Sequence, residues 1–397
     1  RKGVIMQAHM DMVPQKTADT KHDFLTDPIE TEIKGEWVTA KGTTLGADNG
    51  IGVALALSVL QDKTLKHGPL EALITYDEET GMTGANSLKA GILKGDILLN
   101  LDSEEEGELC TGCAGGVDGT ADFAYRTYKT PEGFVGYKIT VKGLKGGHSG
   151  MDISLFRGNA NKIICRLLEA VISEYDVKVA SITGGSLRNA IPFEAEAEIL
   201  VPSADSRKVK ALVEKKFEES KFEYQYSDPD MILIYDKQSA PAARYISPKV
   251  IGKAVKAILA CPHGVQRMSD TLPGLTETST NMAIVRTQKG HLTVHSLTRS
   301  SIDAAKMYLA DSIRYVFELA GAKYSTSGAY SGWAPKLDTP MIKVLEDTFK
   351  SLFGKELKIT ATHGGLECAI MGAKYPNWEM VSIGPTILYP HSPDERV

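Results

Sequence analysis

The sequence predicts an α/β protein in which an open, mostly parallel sheet is interrupted by an inserted α+β domain. Near the N-terminus, short apolar strands at residues 4–8, 70–76 and 97–101 alternate with a helical stretch at 51–60. This alternation is typical of a parallel sheet. From residue 134 the order changes to strand, helix, strand, strand, helix, and this order occurs twice. The repeat indicates a β-α-β-β-α duplication.

The two copies of the repeat are predicted as follows. The first comprises strand 135–141, helix 159–174, strands 177–183 and 191–201, and helix 206–219. The second comprises strand 231–236, helix 248–259, strands 281–287 and 291–298, and helix 301–320. In the last helix Ile302, Leu309, Ile313 and Phe317 share one face, which predicts burial against a sheet. Asn189 and Asn281 each precede an apolar strand, which supports the duplication.

The domain layout follows from the segment after the repeat. A helix at 339–353 and a strand at 358–360 resemble the first segment more than the repeat. We therefore expect a discontinuous domain made of residues 1–116 and 330–397, with a duplicated domain at 117–329 inserted as a lid.

Composition excludes several classes of protein. The 397 residues are 42% hydrophobic, which suits a globular protein with two cores. Lys and Arg number 45 against 50 Asp and Glu, and neither sign forms a long block, so nucleic acid is not an expected partner. The apolar stretches fall short of the roughly 20 residues that cross a bilayer, so no membrane span is predicted. Five cysteines without a dense framework indicate reduced thiols and a cytoplasmic protein.

Both ends of the sequence suggest that further segments exist. Residues 1–8 already have the pattern of a buried strand, without an initiator Met or a targeting segment. Residues 391–397 (HSPDERV) stop where a helix is expected to begin.

Acidic and imidazole side chains stand at the ends of the predicted strands of the first domain. They occur in the motifs at 9–11 (HMD), 48–50 (DNG) and 77–79 (DEE), and at Asp102. The carboxyl ends of parallel strands meet at one edge of a sheet, so we expect these groups to converge. Clustered carboxylates need compensating positive charge. Imidazole together with carboxylate suits zinc, manganese or cobalt better than calcium.

Two pairs within these motifs have different expected roles. Asp11 lies on the same strand face as His9, so its carboxylate can fix the imidazole tautomer. Glu78 and Glu79 point in opposite directions on extended backbone, so one can bind metal while the other acts as a base. The structural alternatives are a surface His-x-Asp pair and a solvated acidic loop; the acidic run at 104–106 is assigned to solvent.

Taken together, the motifs resemble those of the M20 family of metallopeptidases. The matching segments are HMDMV at 9–13, GADNG at 46–50, DEETG at 77–81, NLD at 100–102 and HSPDE at 391–395. They cover essentially the whole chain in order, and they are most similar to the aminoacyl-histidine dipeptidase branch.

The resemblance implies a role for each matching residue. The implied ligands of two divalent ions, zinc first with manganese or cobalt as alternatives, are His9, Asp48, Glu79, Asp102 and His391. Asp48 would bridge the ions, Glu78 would be the catalytic base and Asp11 the orienting group. Spacing alone does not decide which Glu is the base.

The resemblance also implies functional residues outside the metal site. His148 in GGHSG would polarise the scissile carbonyl. Arg299 would bind the substrate carboxylate, and Asn189 and Gly365 would provide further substrate contacts. Because the lid is duplicated, we expect one chain to complete its own site, whether or not it forms a homodimer. The structural alternative for residues 146–150 is a glycine-rich turn with an incidental His.

The expected activity is hydrolysis of small peptides, dipeptides of the Xaa-His type in particular. Alternatives that keep the site are deacylation of N-acyl amino acids and other M20-type aminopeptidase activities. A serine hydrolase around Ser149 lacks the G-x-S-x-G elbow, because Met151 replaces the second glycine. A non-enzymatic metal-binding protein would need neither Glu78 nor His148. The Cys110–Cys113 pair is interpreted as structural, since a single C-x-x-C is weak evidence for zinc.

Overall fold

The computed structural model describes residues 2–397, which divide into two compact units. One unit consists of Arg1–Ala114 and Ser331–Val397, and the other of Gly115–Tyr330. The sequence predicts these boundaries at 116/117 and 329/330. The chain therefore leaves the first unit once and returns to it.

The helices and strands have the following bounds. The first stretch of the first unit contains β1 (Val4–His9), β2 (Thr31–Lys34), β3 (Trp37–Ala40), α1 (Ala47–Gln61), β4 (Leu70–Thr75), α2 (Glu78–Gly81), α3 (Thr83–Ser87), β5 (Ile97–Asn100) and β6 (Glu108–Cys113). The second unit contains β7 (Gly115–Ala124), β8 (Thr127–Lys129), β9 (Phe134–Lys142), β10 (Gly147–His148), α4 (Ala160–Glu174), β11 (Lys178–Gly184), β12 (Ala190–Ile191), β13 (Ala195–Pro202), α5 (Ser206–Glu223), β14 (Ile232–Lys237), β15 (Arg244–Ile246), α6 (Pro248–Ala260), β16 (Gly264–Met268), β17 (Thr276–Gln288), β18 (His291–Ser300), α7 (Asp303–Leu319) and β19 (Lys323–Tyr330). The first unit then resumes with α8 (Pro340–Phe353), β20 (Lys358–Thr362), α9 (Glu367–Lys374) and β21 (Glu379–Ser382).

The first unit is built on a six-stranded sheet in the order β20-β6-β21-β5-β1-β4. All neighbouring strands are parallel except β21 and β6, which confirms the predicted mostly parallel sheet. His9 at the end of β1 pairs with Thr75 at the end of β4, and Gln7 pairs with Asn100 at the end of β5. The carboxyl ends of these three strands therefore lie at the same edge of the sheet, where ligands bind in open α/β folds.

The second unit is built on a larger antiparallel sheet in the order β14-β9-β13-β11-β17-β18-β7-β19, with β16 paired to β17. Its core is formed between this sheet and helices α4 to α7, and it includes the predicted Leu309, Ile313 and Phe317. Ile302, predicted on the same face, precedes α7 and is 38% exposed, so this part of the prediction is wrong. Each half of the sheet contains the expected helix, strand, strand, helix sequence, so the duplicated order is recognisable.

One strand of the predicted duplication lies elsewhere. The strand predicted at 231–236 is β14, and it pairs with β9 at the edge of the first half. The position beside β18 that corresponds to that of β9 beside β13 is taken by β7. The glycine-rich start of β7 (GGVDG) has no apolar run, which explains why its sequence gave no strand signal.

Two further predictions of the second unit are corrected. The strand predicted at 191–201 is broken into β12 and β13, with Pro192, which has no N–H, at the break. Asn281 lies inside β17 rather than before a strand. It is 1% exposed and donates to the carbonyl oxygens of Arg188 and Ala190, whereas Asn189 is exposed in a turn. The two asparagines are therefore not equivalent.

Three further sequence-based expectations concern membrane-spanning helices, the cysteines and residues 391–397. Within residues 2–397, no helix is both long and apolar enough to span a membrane. All five cysteines are free and buried. Residues 391–397 form turns and a bridge rather than the start of a helix.

Candidate metal centre

His9 ends β1 with a ring that is only 1% exposed. Its Nδ1 donates to the main-chain carbonyl of Asp11 at 2.9 Å. A carbonyl oxygen can only accept, so this bond fixes the tautomer and leaves Nε2 free to bind a cation. Nε2 lies 3.1 Å from Oδ1 of Asp48 and 3.2 Å from Oδ1 of Asp102. The tautomer is thus set by the Asp11 carbonyl and not, as expected, by its carboxylate, which is 3.6 Å away.

Asp48 stands at the beginning of α1 in non-helical backbone, joined to Asn49 by a cis peptide bond. Asn49 ties this turn to the strand ends, because it accepts the N–H of His9 and donates to the carbonyl of Leu101. The buried carboxylate of Glu395 accepts the N–H groups of Leu45, Gly46 and Asp48 at 2.8–3.2 Å. Sequence reasoning missed Glu395 as a residue that holds the Asp48 loop.

His391 approaches the same carboxylate from the other side. Its Nε2 lies 3.0 Å from Oδ2 of Asp48 and 3.1 Å from Oε2 of Glu79. His391 has a φ of 62° in a loop. The five predicted ligands are therefore brought together as two groups, His9–Asp48–Asp102 and His391–Asp48–Glu79, which share Asp48.

These residues fit a pair of divalent cations. In a tetrahedral site with bonds of about 2.0–2.2 Å, neighbouring ligand atoms lie about 3.3 Å apart, close to the nitrogen–oxygen separations here. Among the described residues, the buried oxygen Oε1 of Glu79 has no hydrogen-bond partner. Ligand atoms of His9, Asp48 and Glu79 all lie within 4.8 Å of one another. Imidazole and carboxylate donors suit zinc, manganese or cobalt.

Without a cation, the cluster holds protons instead. Burial opposes the charge on His9, but Asp102 and Asp48 outweigh it and raise the pKa of His9 to about 12. Hydrogen bonds to Asp48 and Glu79 raise the pKa of His391 to about 10. Burial also opposes the charge on Asp48, whose pKa the two imidazoles lower to about 2. The imidazoles of the ion-free cluster thus hold the protons that a bound cation would displace.

Glu78 and Glu79 begin the short helix α2, which follows Asp77 with a φ of 57°. The expected extended backbone is therefore wrong, although neighbouring residues in a helical turn also point in different directions. The carboxylate of Asp11 accepts the N–H of Glu79 at 3.2 Å and so holds this turn. Burial, with the charge of Asp102, raises the pKa of Glu78 to about 8.

The acidic run at 104–106 divides into two environments. Glu105 and Glu106 are exposed, as predicted. Glu104 is half-buried, and burial together with the charges of Asp48 and Asp102 raises its pKa to about 7. Its assignment to solvent is therefore wrong: Glu104 belongs to the electrostatic surroundings of the metal centre.

In the second unit, the predicted catalytic residue His148 and the predicted substrate-binding residues Asn189 and Arg299 lie around Ser149. The N–H of Ser149 donates to the carbonyl of Asn189 at 2.8 Å, and Nε of Arg299 donates to the hydroxyl of Ser149 at 3.4 Å. Nδ1 of His148 accepts the N–H groups of Gly150 and Met151. The proton of the neutral ring is therefore on Nε2, and burial and the charge of Arg299 lower the pKa of His148. This tautomer makes His148 a hydrogen-bond donor.

The remaining predicted positions lie in the first unit. Gly365 belongs to the loop between β20 and α9. Cys110 and Cys113 are buried on β6, and burial raises the pKa of both thiols. Buried thiols of this kind are unreactive, in keeping with a structural interpretation.

The motifs and the two-part cluster agree with a comparison to known families, in which the profile of peptidase family M20/M25/M40 matches residues 5–397. The chain belongs to this family. It is thus a hydrolase, a metallopeptidase of the M20 type, and the resemblance found in the motifs is confirmed.

Two M20 relatives match the chain over its whole length. The cytosol non-specific dipeptidase of Escherichia coli (strain K12) is 46% identical over 397 residues, which are 100% of this chain and 82% of that protein. The crystal structure of aminoacylhistidine dipeptidase from Vibrio alginolyticus is 48% identical with a TM-score of 0.92, covering 100% of this chain and 81% of that one. The aminopeptidase PepT structure from Bacillus cereus, at 15% identity, TM-score 0.51 and 100% and 76% coverage, shows the fold alone.

Proposed function

We propose that this protein is a dipeptidase that uses two divalent metal ions. The observation that supports it is the pair of imidazole–carboxylate groups sharing Asp48. One ion would be held by His9, Asp48 and Asp102, and the other by His391, Asp48 and Glu79. Zinc is the first choice, with manganese or cobalt as alternatives, because all three accept both nitrogen and oxygen ligands.

Glu78 is the proposed base. When bound, the ions would polarise the peptide carbonyl and lower the pKa of the attacking water. Glu78 would accept a proton from this water and then deliver it to the leaving amine. Its pKa of about 8 in the ion-free cluster arises from burial and neighbouring carboxylates, and nearby cations would lower it towards a value suited to a base at neutral pH.

Residues of the second unit are proposed to bind the substrate. The Nε2–H donor of His148 suits stabilisation of a developing oxyanion. Arg299, buried on β18, would bind the carboxylate of the substrate through its planar guanidinium. Asn189 and Gly365 would provide further polar contacts, and Asp11 would hold the Glu78–Glu79 turn.

The names of the two relatives that match the whole of this chain support a dipeptide substrate. The Xaa-His class of dipeptides is proposed from the name of one of them, aminoacylhistidine dipeptidase. A cytoplasmic location is proposed from the name of the Escherichia coli relative and the five free thiols. We propose that one chain supplies all of the functional residues named above, in a monomer or a homodimer.

The proposal is tested by measuring the rate of dipeptide hydrolysis in the wild-type protein, in one active-site variant and in a matched control variant. Full-length protein loaded with zinc, manganese or cobalt is assayed with Xaa-His dipeptides, other free dipeptides and N-acetylated amino acids. Glu78→Gln is expected to lower kcat by about 10²–10⁴-fold while both metal ions remain bound. The matched control is Glu106→Gln, which changes an exposed carboxylate nearby and should leave kcat unchanged.

Each outcome of this assay is decisive. Hydrolysis of free dipeptides by the wild-type protein and its loss in Glu78→Gln support the proposal. Cleavage of N-acetylated amino acids alone would replace it with deacylation. Full activity of Glu78→Gln would exclude the proposed base.

A further inference from the structure

A layer of buried polar side chains is formed by residues that precede His9 and Asp102 by two positions in the sequence. Gln7 precedes His9 by two residues on β1, so both side chains are on the same face. Asn100 similarly precedes Asp102 by two residues, and it is paired with Gln7 in the register of the sheet. Gln7 and Asn100 are both fully buried. The layer therefore lies under one half of the centre, the half that contains His9 and Asp102.

The hydrogen bonds of this layer run in a single direction. Ser103 donates to Ser382 at 2.7 Å, and Ser382 donates to Oδ1 of Asn100. Nδ2 of Asn100 donates to Oε1 of Gln7 at 2.5 Å. Nε2 of Gln7 donates to Oε2 of Glu367 at 2.6 Å. Every donor points towards Glu367, which is the terminal acceptor of the chain.

Glu367 is well placed for this role. It is the first residue of α9 and has no exposed surface. Its Oε2 also accepts the hydroxyl of Thr75 at 2.6 Å, and Thr75 pairs with His9 in the sheet. Among the described residues, its Oε1 is buried without a hydrogen-bond partner. An unpaired buried oxygen destabilises the folded protein, so the presence of a carboxylate at this position indicates a specific role for Glu367.

The terminal acceptor decides how the two amides are oriented. An amide side chain can rotate by 180° and exchange its oxygen and nitrogen. Gln7 presents nitrogen to Oε2 of Glu367, an oxygen that also accepts from Thr75, and it must then present oxygen to Asn100. Without Glu367, the amide nitrogen of Gln7 would keep only the longer hydrogen bond to the hydroxyl of Thr75, at 3.3 Å, which favours rearrangement.

We propose that Glu367 is a positioning residue for the His9–Asp102 half of the metal centre, an inference that rests on the proposed two-metal function. It orients Gln7 and Asn100, and through them it holds the ends of β1 and β5 at the spacing that places His9 and Asp102 around one cation. None of the hydrogen bonds described in this layer reaches His391 or Glu79. The effect of Glu367 is therefore confined to one of the two ions.

The test measures the affinity for each ion separately. Zinc binding is titrated in two single-site backgrounds, His391→Ala, which keeps the His9–Asp102 half, and His9→Ala, which keeps the His391–Glu79 half. In the His391→Ala background, Glu367→Met is expected to weaken zinc binding by about 10–100-fold. In the His9→Ala background, the same substitution is expected to change it by less than about 3-fold.

Milder variants keep the test decisive if Glu367→Met does not fold. Glu367→Gln retains an acceptor and is expected to cause a smaller loss, again confined to the His391→Ala background. Ser382→Ala removes a donor far from Glu367 in the chain and should have the smallest effect. The control is Glu105→Gln, which removes an exposed carboxylate and should change neither affinity.

The outcomes separate this inference from the proposed function. Loss of affinity in the His391→Ala background alone supports a positioning role. Equal losses in both backgrounds, or lowered thermal stability with both affinities unchanged, would overturn it and leave the two-metal function intact. If the wild-type protein bound fewer than two zinc ions, the proposed function itself would fail.

Discussion

The two halves of the metal centre share Asp48 but are built in different ways. His9 is 1% exposed and stands on a buried strand, whereas the side chain of His391 is 48% exposed and lies in a loop. The ring of His9 is fixed by the Asp11 carbonyl and its main chain by Asn49. The hydrogen bond and ion pairs described for the side chain of His391 are with Asp48 and Glu79.

This difference indicates that the two halves bind their ions with different affinities and exchange them at different rates. A ligand held by packing and hydrogen bonds loses little entropy when it binds a cation, whereas an exposed loop residue must be ordered at that moment. We therefore expect the His9 half to bind its ion more tightly, and the His391 half to exchange its ion more readily.

The largest effect is expected from the residue that the halves share. Asp48→Asn removes the charge of the bridging carboxylate and should weaken binding of both ions by more than about 10³-fold, with loss of dipeptide hydrolysis. Metal content after gel filtration, measured by atomic emission, checks this. Retention of one tightly bound ion would show that the halves do not share Asp48.

The pH dependence of metal binding comes next in size. The ion-free cluster protonates His9 and His391, whose pKa values are about 12 and 10, and both must lose a proton to bind a cation. Affinity for each ion should thus rise about tenfold per pH unit between pH 6 and 8. Calorimetric titrations in buffers of different ionisation enthalpy report the protons released. Binding without proton release would contradict the protonated cluster.

The same pKa shifts predict how pH affects the stability of the metal-free protein. Both imidazole pKa values are raised, so the stabilisation is complete below the ordinary histidine pKa of about 6.5 and is lost as pH rises towards about 10 and beyond. The midpoint of denaturant unfolding in chelator should therefore fall from pH 6.5 to pH 9. A metal-free midpoint that rises over this range would contradict the assignment.

Replacing each histidine in turn sharpens the comparison. His9→Ala leaves the buried Asp48 and Asp102 without their partner and should lower the free energy of unfolding of the metal-free protein by roughly 3–5 kcal/mol. His391→Ala changes a side chain that is 48% exposed, where solvent screens its ion pairs, and it should cost less than His9→Ala. Urea unfolding in chelator measures both values. Equal losses in the free energy of unfolding would mean that the two histidines stabilise the metal-free protein equally, against the difference described between the two halves.

A smaller effect than that of His9→Ala is expected at the Asp48 loop. Glu395→Gln replaces a buried carboxylate that accepts three main-chain N–H groups, and it should cost about 1–3 kcal/mol of stability. Because Asp48 is proposed to bind both ions, their affinities should fall together. A loss at one ion alone would show that Glu395 acts on a single half.

The sequence predicts which residues cluster at the sheet edge better than it predicts the groups that hold them in place. His9 and Asp102 follow apolar strands, and the topology of a parallel sheet is enough to bring such strand ends together. Glu395 and Glu367 hold their partners across most of the length of the chain, and no local pattern marks them. Glu104 differs from its neighbours only in burial, which the acidic run conceals. β7 was missed because glycines carry no apolar signal.

Anomalous diffraction from zinc-soaked crystals of the protein tests the central claim most directly. The account predicts two ions that share Asp48, one bound to His9 and Asp102 and the other to His391 and Glu79, with bonds of about 2.0–2.2 Å. A single ion, or two ions that do not share Asp48, would contradict it.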